Sequence, residues 1–204
     1  MVTSSRKLMK LIESESAGPS PASWKEDEAA VLSRIALKDM QAFEVLYRAY
    51  YRRLTRFLEQ VTRRPQLIEE ILDDTMLVVW RKAGTFNGQS QVSTWIFAIA
   101  HNKAMKALKR LRVPMEGPDE DAPSPADGPE AALVRRQTHL YLQGLLGRLS
   151  TEQRAVIELT YYHGCSYKEI AKIVGCPAET VKTRMFHARR KLRGMLLAQG
   201  EGSM

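Results

Sequence analysis

Cysteine is scarce: Cys165 and Cys176 are the only two in 204 residues. That count excludes a disulfide-stapled fold and fits a reducing compartment. No apolar run approaches the length of a membrane span. Arg6-Lys7-Leu8-Met9-Lys10-Leu11-Ile12 is too short and too interrupted by charge to act as a secretory leader. The expectation is a cytoplasmic protein without a membrane partner. There is no glycine-rich phosphate loop, no nucleophile motif and no pair of carboxylates on a definable cleft, so the chain does not read as an enzyme. His163, Cys165, Cys176 and His187 follow no common zinc spacing, so neither metal nor cofactor is expected. Acids are outnumbered: 23 Asp and Glu stand against 31 Lys and Arg, giving a formal net charge of +8. Such a surplus favours a polyanionic partner.

The most informative stretch is Ser166 to Leu197. Ser166 is a strong helix N-cap. A short amphipathic segment follows, with Ile170, Ala171 and Val174 on one face. Gly175-Cys176-Pro177 ends it, because glycine suits a helix C-terminus and proline starts helices but does not continue them. A longer helix then carries Val181, Met185, Ala188 and Leu192 as one apolar stripe. A short and a long helix around a tight glycine turn make a helix-turn-helix. The opposite face of the second helix presents Glu179, Thr183, Phe186, His187 and Arg190, flanked by Lys182, Arg184, Arg189, Lys191 and Arg193. Such a helix suits a duplex major groove, with some side chains on base edges and cations on phosphates.

Upstream, the fold class reads as all-α. Residues 1–25 are rich in serine with two prolines and form an expected tail. A first helix starts near Glu26 and carries Val31, Leu32 and Ile35. Asp39 caps a long helix with Phe43, Leu46, Tyr47, Tyr50, Leu54, Phe57, Leu58 and Val61 on one side and Arg48, Arg52, Arg53 and Arg56 on the other. Arg63-Arg64-Pro65 breaks it. The next helix, Gln66 to Lys82, buries Ile68, Leu72, Thr75 and Val79. It also carries an acidic patch, Glu69, Glu70, Asp73 and Asp74, beside Leu77 and Trp80, which reads as a docking surface for a basic partner. A turn-rich loop spans Ala83 to Ser93. A further helix follows, with Ser93 or Thr94 as its cap. It is apolar at first (Trp95, Ile96, Phe97, Ile99) and basic at its end (Lys103, Lys106, Lys109, Arg110, Arg112), as suits a helix leaving a core to run along phosphates. Trp95 fits either a core or a platform for an opened base. Val113 to Glu130 holds five prolines and six acids and no base, so it is an expected extended linker. It divides the chain into two small helical domains, 26–112 and 131–197, with a C-terminal tail over 198–204. The second opens with Leu133, Val134, Leu140, Leu145 and Leu146, then a helix capped by Ser150 or Thr151.

Three stretches resemble the extracytoplasmic-function sigma factors of bacterial RNA polymerase. They are Ala42 to Tyr47; Glu69 to Trp80 followed by Thr94 to Asn102; and Leu149 to Arg154 followed by Tyr167 to Ala171 and Thr180 to Arg189. The resemblance implies binding to core polymerase, at the β′ clamp and the β flap, and to promoter DNA. It also implies an anti-sigma factor as a further partner. Glu69, Glu70, Asp73, Asp74, Leu77 and Trp80 then belong to the polymerase face, with Asp73-Asp74 standing where many relatives carry Gln-Glu. The loop Phe86, Asn87, Gly88, Gln89, Ser90 and Gln91 matches the loop that pockets a flipped minus-ten base, with Trp95, Asn102, Lys103 and Lys106 beside it. Thr180, Lys182, Thr183, Arg184, Phe186, His187, Arg189 and Arg190 belong to the minus-thirty-five face. His187 replaces a common arginine there and offers fewer donors. The competing reading is a helix-turn-helix regulator that is not a polymerase subunit. It accounts for Ser166 to Leu197 but not for the acidic helix, the loop or the linker.

Overall fold

The computed structural model describes residues 28–111 and 144–200, and every regular element among them is helical. The expected tail over 1–25, the linker 113–130 and Arg112, Leu133, Val134 and Leu140 lie outside the described residues.

Helix α1 (Glu28–Ala36) buries Leu32 and Ile35. Lys38 turns the chain with a φ of 66°. Arg34 then pairs with Asp39 at 2.7 Å, and the Asp39 carboxylate accepts from the Gln41 and Ala42 amides. Those amide bonds, with Arg34, hold the Asp39 carboxyl below its usual range. Asp39 thus caps α2 (Met40–Thr62), as its sequence position predicts. Arg63 ends α2 in a left-handed conformation, and Pro65 opens α3 (Pro65–Lys82) at its first position, where a missing amide costs nothing. α3 buries Ile71 and Met76 as well as the expected Leu72, Thr75 and Val79, while Ile68 is only half-buried.

A single 3-10 turn (Ala83–Thr85) leads into the loop and then into α4 (Val92–Arg110). The expected cap is corrected here: Gln91 is the N-cap, without a side-chain capping bond, and Ser93 and Thr94 lie inside the first turn. Burial decides it, because Thr94 is turned into the core, where its hydroxyl has no partner. Ala100, Ala104 and Ala107 keep α4 slim along its buried side, and Phe97 meets Phe57 edge-on at 5.2 Å.

In the second half, residues 144–147 are helical. They lead to α5 (Thr151–Tyr161), α6 (Tyr167–Val174) and α7 (Ala178–Gly200), the last running on past Leu197 into the expected tail. Ser150 with Gln153, and Ser166 with Glu169, form complete capping boxes. Gly175 closes α6 with a φ of 68°, the left-handed conformation that glycine adopts without strain. Ile170 and Ile173 are the buried pair of α6; Ala171 and Val174 are half-buried.

The two helical domains do not merely share a chain. α5 packs on α2, α6 packs on α4, and one continuous core joins them. Arg154, 3% exposed, donates from Nε to the Gln60 carbonyl at 2.7 Å and from Nη2 to the Val61 carbonyl at 3.2 Å. Its Nη1 donates to the Leu149 carbonyl at 2.6 Å. Burial, with Arg63 nearby, lowers its pKa to about 10. Arg56 pairs with Glu158 at 2.9 Å and lies on the Tyr162 ring. Burial raises the Glu158 carboxyl, against the pull of Arg56. The His163 ring packs 4.4 Å from Phe97 and 6.2 Å from Phe57.

Burial first, then the charges of Arg53 and Arg56, push His163 down to about 4; Glu158, 3.9 Å away, is beyond bonding distance and does not offset them. Burial and then Arg184 push His101 down to about 4 as well, with Glu152 opposing. Both values lie below the ordinary 6.5, so each ring contributes its full stability above pH 6.5 and loses it as pH falls towards 4. At pH 5.5 the loss is about 1 kcal/mol per histidine. Glu158 pulls the other way on acidification. The expected outcome is therefore comparative: in thermal unfolding at pH 7.5 and 5.5, His163→Phe shows a smaller drop in Tm than the wild type. An equal drop would remove His163 from the pH dependence.

Candidate nucleic-acid interface

Packing decides which side of α7 is free. Val181, Met185 and Ala188 are buried against α5 and α6, which fixes the rotation of the helix. The opposite side then exposes Lys182, Thr183, Phe186, His187, Arg189 and Arg190. Phe186 is 61% exposed, and its ring stands 5.5 Å from that of His187. The Thr183 hydroxyl donates to the Glu179 carbonyl at 3.0 Å, and Lys182 pairs with Glu179 at 2.8 Å. An open cleft beside His187 is lined by Arg148, Gln153, Arg190 and Lys191, with Lys191 donating to the Arg148 carbonyl. Arg189 Nε donates to the Tyr161 hydroxyl at 3.1 Å.

Arg184 is placed differently from its neighbours. Half-buried, it points its Nη1 at Cys176 Sγ, 3.7 Å away, and its charge reaches His101 on α4. It lies off the exposed face, in contrast to the flanking role expected of it. Thr180 is half-buried at the start of the helix.

On the first domain, Asn87, Gly88, Gln89 and Gln91 are exposed and Ser90 is half-buried. Asn87 Oδ1 accepts from the Gln89 amide at 3.1 Å, and Gly88 takes a φ of 70°, so the loop has a defined turn of its own. Phe86 and Trp95 are both half-buried with ring centroids 5.7 Å apart, making an aromatic floor under the loop. Asn102 and Lys106 are exposed along α4.

The acidic helix and the basic helix meet. Lys103 Nζ reaches Asp74 at 2.8 Å, and Arg110 reaches Glu70 at 3.4 Å. Part of the acidic patch thus neutralises the basic end of α4, a pairing that α3 and α4 read separately do not reveal. Burial and then the Asp73 charge raise the Tyr47 phenol, which places Asp73 against α2. Glu69 is exposed, and Leu77 is 43% exposed beside it. Trp80 is anchored: it meets Phe43 edge-on at 5.1 Å, and Lys38 donates to its carbonyl at 3.0 Å.

Sequence reasoning missed Arg56, Arg154, Glu158, His163 and Lys172, which join the domains. One signal was available: Arg154 and Glu158 stand four apart within the otherwise apolar run Ala155-Val156-Ile157-Leu159 and are as buried as it is. Among the described residues, no group of three His, Cys, Asp or Glu could hold a metal ion, and no helix is long and apolar enough to cross a membrane.

An all-helical pair of domains ending in a helix-turn-helix is the architecture of sigma-70 regions 2 and 4. The Sigma-70 region 2 family model matches residues 46–113, and the Sigma-70, region 4 model matches residues 139–192. The ECF RNA polymerase sigma factor SigM of Mycobacterium tuberculosis is 30% identical over 172 residues, 84% of this chain and 86% of the relative. The ECF RNA polymerase sigma factor RpoE of Cereibacter sphaeroides is 32% identical over 162 residues, 76% and 87% of the two chains. Among solved structures, the sigma factor RpoE of Bartonella quintana, in complex with the anti-sigma factor NepR, matches with a TM-score of 0.57 at 25% identity, over 70% of this chain and 89% of that one. CnrH, in complex with the cytosolic domain of CnrY, shares the fold with a TM-score of 0.63 at 23% identity, over 84% and 97%. The chain belongs to the extracytoplasmic-function sigma factors and is an alternative sigma factor for transcription initiation.

The helix-turn-helix depends on its first cap. Ser166 Oγ accepts from the Glu169 amide at 3.3 Å, and Glu169 accepts from the Ser166 amide at 2.8 Å. Ser166→Ala should lower unfolding stability by about 1 kcal/mol, whereas Ser166→Thr, which keeps a hydroxyl beside Glu169, should cost only a few tenths. Urea midpoints at unchanged slope would measure both. Equal losses in the two variants would show that the hydroxyl's capping role is not what matters.

Proposed function

We propose that this sigma factor docks core RNA polymerase through the exposed side of α3, at Glu69, Asp73 and Leu77. It reads the minus-thirty-five element with α7 and the minus-ten element with the loop Phe86–Gln91 and α4. The observation that carries the reading is the division of α7: an apolar stripe buried against its own domain, opposite an exposed row of Thr183, Phe186 and His187 edged by Lys182 and Arg190. Base edges fall to the row, and phosphates to the cations. The turn of the loop, its aromatic floor and the exposed Asn102 and Lys106 suit a base drawn out of its stack and a strand led along α4. Lys103 reaches that strand by exchanging Asp74 for phosphate. The activity is binding and positioning rather than bond-making by this chain, and it is exercised where polymerase works, in the cytoplasm. The likeness to RpoE with NepR supports an anti-sigma factor as a third partner.

For docking, Glu69→Lys combined with Asp73→Lys should weaken affinity for core polymerase at least about tenfold. Because Asp73 is half-buried beside Tyr47, Glu69→Lys alone is the fold-neutral control: it should weaken affinity in the same direction with unchanged helical circular dichroism, since an exposed helix charge contributes little to stability. Undiminished affinity would reject α3 as the docking face. For promoter choice, His187→Arg should change the preferred base at one or two adjacent minus-thirty-five positions in a promoter-library transcription assay. Lys182→Ala should weaken all promoters alike. A sequence-independent loss from both would reject the division of labour.

A further inference from the structure

The corner between α1 and α2 carries a strained residue with a long reach. The Lys38 amide donates to the Ile35 carbonyl at 2.9 Å, and the Asp39 amide donates to the Arg34 carbonyl at 3.1 Å. This pair of bonds puts Lys38 just past the helix end, where the backbone is left-handed and glycine is the usual residue. Lys38 has a φ of 66°; among the described residues, Arg63 is the other non-glycine with a positive φ. A side chain kept at such a position against its steric cost points to a role for the side chain itself.

That side chain has a definite partner. Lys38 Nζ donates to the Trp80 carbonyl at 3.0 Å and stands 5.1 Å from the centre of the Trp80 ring. Trp80 lies in the last turn of α3, where carbonyls run out of helical partners. α1 also packs on the 3-10 turn that follows: a Cβ placed on Gly84 would meet the Ala36 Cβ at 3.7 Å, an ordinary contact. The corner thus grips both sides of the point at which α3 gives way to the 3-10 turn. Phe86 comes next, its amide donating to the Ala83 carbonyl at 3.2 Å and its ring centred 5.7 Å from that of Trp95. The direction in which the loop leaves α3 is set at this grip.

We infer that Lys38 is a positioning residue for the loop Phe86–Gln91: its amine ties the end of α3 to the α1–α2 corner and so sets where the minus-ten base is received. This rests on the minus-ten reading proposed above. Lys38 need not touch DNA or polymerase to act in this way. Lys38→Gly isolates the tie, because it eases the backbone and removes only the amine and its stem. Lys38→Arg keeps a donor on a long stem.

The test compares these two variants in the full chain. In isotope-labelled protein, Lys38→Gly should move the amide resonances of Thr85 to Gln91, and Lys38→Arg should leave them near their wild-type positions. In transcription from a promoter library with core polymerase, Lys38→Gly should lower discrimination at the minus-ten position about fivefold, and Lys38→Arg should recover most of it. Minus-thirty-five preference, affinity for core polymerase and helical circular dichroism should not change. Loop resonances that stay in place in Lys38→Gly overturn the tie. A loss shared equally by all promoters, as a phosphate contact would give, overturns the positioning role. So does a fall in core affinity with minus-ten preference intact, as a docking residue would give. Gln89→Ala, read in the same library, separates the inference from its premise. Altered minus-ten preference in Gln89→Ala beside an unchanged one in Lys38→Gly overturns the inference. Unchanged preference in both strikes the minus-ten reading instead, and the resonances then decide whether Lys38 positions the loop.

Discussion

The guanidinium of Arg154 is the point on which the arrangement of this molecule turns. A helix C-terminus leaves carbonyls without partners, and α2 ends at Thr62 with Gln60 and Val61 in that position. Arg154 answers them from the other domain while also holding the Leu149 carbonyl next to its own helix start. A buried arginine tolerates removal from water only when its donors find acceptors, and here they meet three backbone oxygens, which cannot rotate away, and the Thr151 hydroxyl. The orientation of α5 on α2 follows from that geometry. His163 then arrives against Phe97, and α6 is carried onto α4.

Each domain taken alone obeys local rules, and those rules were visible in the sequence. The periodic apolar positions of α2 and α7, the Asp39 and Ser166 caps, the Pro65 break and the Gly175 turn all act within a few residues, so a one-dimensional pattern records them. The Gln91 start of α4 escaped because Thr94 looks like a cap, and only its burial shows otherwise. Ile71 and Met76 were passed over because α3 buries a band wider than Leu72, Thr75 and Val79, and Ile173 because α6 is rotated to bury Ile170 with Ile173 rather than with Ala171 and Val174.

The candidate surfaces were legible as residue types but not as electrostatics. Glu70 and Asp74 read as a free acidic face, yet they lie against Arg110 and Lys103 across the α3–α4 contact. Arg184 reads as one cation of a basic helix, yet half-burial turns it to Cys176. The joint itself had no sequence signature beyond two charges in an apolar run, because pairing across the long stretch between the domains depends on three-dimensional closure rather than on spacing. The acidic side of α3 and the basic end of α4 share salt bridges, so a change in one alters the charge of the other.

The two domains are joined covalently, and their surfaces fit each other. Covalent linkage of that kind gives two surfaces an effective concentration on the order of millimolar. The joint therefore needs only an intrinsic affinity somewhat tighter than millimolar to be mostly closed. A contact that weak, cut from the tether, would not persist between separate domains at ordinary cellular concentrations. A joint no tighter than that would come apart on cleavage of the chain between the domains, even though no residue of the joint is altered.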